Sequence, residues 1–192
     1  MSITAGISKH VRKALEAFCK SDLEESLYQI APAIDATAKK RYPSATASQR
    51  VKKFLADEQE MIFGFSTQNR VKVDQGAKIL HGQDGELQQI IYKYIRCAQS
   101  HEAEYDSNKI LLEGEFGVGR FRLEGLSPQI PADKYLISKA TVLALIFSVI
   151  CASENQNIDI SGVSFHLFGQ SINVPDYLGK RDDFIKFYSS IF

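Results

Sequence analysis

Much of what bounds this 192-residue sequence is what it lacks. Its three cysteines, Cys19, Cys97 and Cys151, form no Cys-x-x-Cys pair, which argues against a zinc ribbon or a disulfide framework and suits a reducing compartment. Net charge is missing too, since 23 Lys+Arg balance 23 Asp+Glu. No global basic field draws nucleic acid or anionic membrane, so any polyanion site must be local. There is no long hydrophobic run: residues 142–152 are almost continuously apolar but are interrupted by Ser148. That falls short of the roughly 20 residues that cross a bilayer, and the stretch reads as the central helix of a globular core. Residues 1–18 carry charges throughout and lack the apolar centre of a signal peptide. A cytoplasmic protein is expected.

Several chemical signatures are absent as well. No GxxxxGK[ST] loop, GxSxG elbow or HExxH occurs, so NTPase, hydrolase and zincin chemistry lack their motifs. Gly117-x-Gly119 is followed by no third glycine, and its flanking runs read as a β-hairpin over about residues 108–125 rather than a dinucleotide fingerprint. His, Cys and carboxylates show no adjacent metal-ligand spacing, and neither a metal nor a cofactor is expected.

What is present reads as one mainly α domain over residues 1–192 with a single core. Ile7, Val11, Leu15 and Phe18 mark one face of a first helix. Ser21 and Glu24 form a capping-box pattern that should start a second helix running to about Arg41, bent at Pro32 and stopped by Pro43. Ser48 is positioned to cap a third helix carrying Val51, Phe54, Leu55, Glu58, Met61 and Ile62, with Gly64 ending it. Leu87, Ile90, Ile91, Tyr94 and Ile95 define a fourth helix, and residues 132–152 a fifth. Beyond about residue 156 a small C-terminal β/α extension is expected: a strand or hairpin, then a short helix with proline at its start.

The fourth helix leads into Arg96 and His101. His10, His81 and His166 read as solvated or structural, whereas His101 follows an obligate cation. Histidine exchanges a proton near neutral pH, and arginine grips a phosphate through two parallel hydrogen bonds. Together they suit phosphodiester cleavage. The bland alternative pairs Arg96 with Glu102, Glu104 or Asp106 and leaves His101 at a helix C-terminus, where a cation is favoured. Positions five apart lie about 140° apart around a straight helix. Cooperation therefore requires the helix to end before His101, or two subunits to meet. Lys39, Lys40 and Arg41, then Arg50, Lys52 and Lys53, form basic clusters around a helix–turn–helix connection, for which a solvated face is the general explanation. Asp35 stands one helical turn before Lys39, where an intrahelical ion pair is the simple explanation.

Two stretches resemble one family. "IRCAQSHE" is similar to the Arg-x4–6-His signature of HEPN-domain proteins, and "LYQIAPAIDATAKKRYP" resembles the early helix of bacterial HEPN-like proteins. The resemblance implies an up-and-down helical bundle that dimerises and, in active members, cleaves RNA without a metal, as toxins or antiphage effectors do. It implies that His101 is the general acid or base and that Arg96 holds the scissile phosphate. It further implies Asp35 and Glu102 as candidate cleft residues, Lys39, Lys40 and Arg41 as RNA contacts, and an antitoxin or regulatory protein as a further partner. Cys97 follows the arginine where active members often carry Asn or Asp. A non-catalytic HEPN-like binding or regulatory module is the alternative.

Overall fold

The computed structural model describes residues 3–66, 88, 91–92, 110–113 and 135–191. Among these the chain is mainly helical, with six α-helices and two small two-stranded sheets. Helix α1 (Ile3–Cys19) buries Ile7, Val11, Ala14, Leu15 and Phe18 along one stripe. Ser21 then turns the chain through a left-handed φ of 60°. This shifts the expected cap by one residue: the Asp22 carboxylate accepts from the Glu25 N–H at 3.0 Å and starts α2 (Leu23–Arg41). Pro32 has no N–H to donate, yet α2 is continuous through it.

The third expected helix is two helices. Thr46, rather than Ser48, caps α3 (Ala47–Asp57) in a reciprocal box with Gln49. Thr46 lies in extended backbone, where its hydroxyl meets the N–H three residues on, whereas Ser48 is already inside the first turn. Glu58 forms a one-residue joint, and α4 (Gln59–Ser66) continues past Gly64. Of the fourth expected helix only Gln88, Ile91 and Tyr92 are described, all helical, with Ile91 buried.

Strand β1 (Ile110–Glu113) pairs in parallel with β2 (Tyr135–Ser138), Ile110 opposite Tyr135 and Glu113 opposite Ser138. The run at 110–113 is thus a strand, but a parallel partner needs a crossover rather than a tight hairpin turn. The other half of the expected hairpin lies outside the described residues. The fifth expected helix begins seven residues late, because residues 135–138 of its predicted span form β2. Ser138 ends the strand and accepts from the Thr141 N–H at 3.1 Å, opening α5 (Lys139–Ile150). From Ala140 to Ile150 every side chain of α5 is buried, so this apolar stretch is the centre of the core, as its composition predicted.

Beyond a 3-10 turn (Ser153–Asn155), β3 (Ser164–Leu167) and β4 (Gln170–Asn173) form the expected antiparallel hairpin. Phe165 and Leu167 face inward while His166 faces out. Phe168 and Gly169, at φ 49° and 79°, make the two-residue turn. Pro175 opens a 3-10 turn (Val174–Tyr177) rather than the last helix. Gly179 (φ 67°) separates it from α6 (Arg181–Ile191); a Cβ there would meet the Gln156 Cβ at 2.9 Å. Phe184 of α6 stacks on Phe147 of α5 with ring centres 4.0 Å apart.

Candidate functional site

Arg96, His101 and Glu102 lie outside the described residues. Three residues upstream of Arg96 are described: Gln88, Ile91 and Tyr92. Ile91 sits in the core, Gln88 Nε2 donates to Gln59 Oε1 at 3.5 Å, and Lys52 Nζ stands 5.8 Å above the Tyr92 ring. Gln88 and Tyr92 therefore meet α4 and α3.

The family-like run "AIDATAKKRYP" falls on α2, and most of it faces inward. Ala33, Ile34, Asp35, Thr37 and Ala38 are buried. Asp35 Oδ1 accepts from Arg50 Nε of α3 at 2.8 Å. The expected intrahelical pair with Lys39 is not formed: Lys39 is exposed and makes no ion pair among the described residues. Thr37 Oγ1 accepts from Asn155 Nδ2 at 2.8 Å, and Lys40 Nζ donates to Asn155 Oδ1 and to the Glu154 carbonyl. Burial lowers the Lys40 pKa, opposed by the Glu154 charge. These contacts fasten the turn after α5 to the end of α2.

Arg41 is engaged more fully still. Its Nε and Nη2 form a fork on the Glu154 carboxylate at 2.8 and 3.1 Å. Nη1 donates to Glu58 at 2.8 Å and to Asp57 at 3.2 Å, and the guanidinium lies 4.7 Å over the Phe54 ring. Burial opposes the charge, but Glu154 and Glu58 outweigh it and push the pKa up. A guanidinium held by three carboxylates has no fork left for a phosphate. Of Lys39, Lys40 and Arg41, Lys39 is the one that is exposed and forms no ion pair among the described residues.

Glu58 was read from sequence only as a position on a helix face, yet its side chain is 3% exposed between two arginines. Oε1 takes the Arg41 bond. Oε2 lies 3.2 Å from Arg181 Nε of α6, but the two are not aligned to hydrogen-bond, and neither atom has another such partner among the described residues. Burial raises the Glu58 pKa against the pull of Arg41 and Arg181. Nearby, burial holds the Cys151 thiol well above its ordinary value, and the Glu58 charge adds to this. A neutral, enclosed thiol is a poor nucleophile. The Tyr42 hydroxyl donates to Asp57, and this bond raises the Tyr42 pKa. No local spacing announces these partners, because Glu154 stands 113 residues from Arg41.

His10, read as exposed, is half-buried and its Nδ1 lies 3.0 Å from Gln29 Oε1. Among the described residues no group of His, Cys, Asp and Glu converges as a metal site, and no helix is long and apolar enough to cross a membrane.

The site is thus a charged seam between helices of a mainly α protein, beside a segment that leads into an Arg-x4-His motif. A family model designated Rv1289 matches residues 6–191, and the chain belongs to the Rv1289 family. No curated protein and no solved structure matches it.

Proposed function

We propose that this chain is a cytoplasmic, metal-independent endoribonuclease of HEPN type that works as a homodimer, as a toxin or antiphage effector. Arg96 and His101 of the two subunits face one cleft. His101 takes the proton from a ribose 2′-hydroxyl or gives one to the leaving oxygen, and Arg96 holds the phosphate as charge builds on it. Attack by the 2′-oxygen expels the 5′-oxygen and leaves a cyclic phosphate end. The observation that carries this reading is the joint presence of "IRCAQSHE" and "AIDATAKKRYP" in a mainly helical chain.

A second reading, a non-catalytic HEPN-like module that binds a regulatory protein, is favoured by the inward commitment of Lys40 and Arg41. One assay separates the two. Purified wild type, Arg96→Ala and His101→Ala are incubated with mixed RNA in EDTA. The ribonuclease reading expects cyclic phosphate ends from wild type and cleavage slowed by about 100-fold or more in each variant. Equal cleavage by all three identifies a contaminant, and an inert wild type supports the module.

A further inference from the structure

Two short stripes face each other where α2 meets α3. On α2 and its C-terminal cap the stripe is Asp35, Lys39, Tyr42, and on α3 it is Arg50, Lys53, Asp57, each spaced as one side of a helix. Their ends are neutralised: Asp35 pairs with Arg50 at 2.8 Å, and Asp57 receives the Tyr42 hydroxyl and Arg41. Their centres are not. Lys39 and Lys53 are both exposed, and neither forms an ion pair among the described residues. Lys53 Nζ stands 5.5 Å above the Tyr42 ring. From residue 36 to residue 56 the sequence contains no Asp or Glu, so the nearest carboxylates on these two helices are the ones already engaged. Lys52, over Tyr92, continues the basic face of α3 to a residue four positions before Arg96 in the chain.

We infer that the α2–α3 rim, through the exposed Lys39 and through Lys53 above Tyr42, is a docking site for the phosphates of a single RNA strand. Lys40 and Arg41 are replaced in that role by Lys53, because they are consumed within the fold. The choice of RNA as ligand rests on the ribonuclease reading. Lysines that form no ion pair among the described residues release bound counterions when a phosphate backbone arrives, and this supplies affinity in a protein of zero net charge.

Fluorescence anisotropy with a labelled 2′-O-methyl RNA oligonucleotide tests this, because that strand has no free 2′-hydroxyl to attack its own backbone. The full-length Lys39→Ala/Lys53→Ala variant, with circular dichroism confirming its fold, is compared with wild type and with Lys186→Ala on α6. The expected result is binding about tenfold weaker in the double variant, with the slope of log affinity against log salt reduced by about 1.4, and no change in Lys186→Ala. Wild type that fails to bind, or a double variant with unchanged affinity and slope, overturns the inference. Lysine-dependent binding without cleavage of ordinary RNA upholds the rim and removes the ribonuclease reading. Cleavage with lysine-independent binding does the reverse.

Discussion

At the scale of single residues, Glu58 shows how burial and pairing compete. Arg41 and Arg181 favour its ionised form, while enclosure between them and Cys151, with the Asp57 charge nearby, disfavours it. Burial wins, and the folded pKa lies above the ordinary 4.5. A carboxyl of raised pKa holds its proton more tightly in the folded chain than in the unfolded one. Its contribution to stability is therefore complete below the unfolded pKa and is lost as pH rises through the folded value. Glu58→Gln keeps an acceptor for Arg41 and removes the titration. The stability of wild type minus that of Glu58→Gln, from urea unfolding between about pH 4 and about pH 7.5, is expected to fall as pH rises. A difference that grows with pH would show that the arginines, and not burial, set the ionisation of this side chain.

At the scale of elements, the capping box of α3 is a local device with a measurable cost. Thr46→Ala removes the acceptor of the Gln49 N–H and leaves the Gln49 side chain without the fixed helix start it bonds to. Thermal or urea unfolding is expected to report a loss of about 1 kcal/mol, and Thr46→Ser should recover most of it. A loss confined to Ser48→Ala would return the cap to the residue first expected. Helix faces such as Ile7, Val11, Leu15 and Phe18 were legible because a 3.6-residue period is written directly into the sequence. Boundaries were not. Ser21 lost the capping role to Asp22 and Ser48 to Thr46, each the residue whose backbone sits just outside the first helical turn, and backbone angles are not written in side-chain spacing. The start of α5 was hidden for another reason: Tyr135–Ser138 is apolar enough for a helix, and only its pairing with β1 makes it a strand. The basic cluster was visible as charge, but its use was not, because the carboxylates that occupy Arg41 come from α3, the α3–α4 joint and the turn after α5.

At the scale of the whole molecule, the C-terminal β/α extension that the sequence presented as an addition is built into the core. Phe147, at the centre of α5, lies 6.0 Å from Phe165 of the hairpin and 4.0 Å from Phe184 of α6, the latter with nearly parallel rings. Phe184 is in turn 5.7 Å from Phe65 of α4, whose ring meets Tyr188 edge-on at 5.6 Å. The last helix thus bridges two elements that are distant from it in sequence, and Arg181 at its start reaches Glu58 and Glu60 on the α3–α4 side. An element fixed by both an aromatic stack and an ion pair to the buried Glu58 should unfold with the rest. Phe184→Ala removes a fully buried ring from this junction and is expected to cost about 3–5 kcal/mol. The loss should appear as one cooperative urea transition moved to lower denaturant and seen identically by far-ultraviolet circular dichroism and tyrosine fluorescence. Were α6 a detachable appendage, the variant would instead lose a fraction of its helical signal in an early step and keep its main transition at the wild-type midpoint. That outcome would separate the extension from the core that α5 organises.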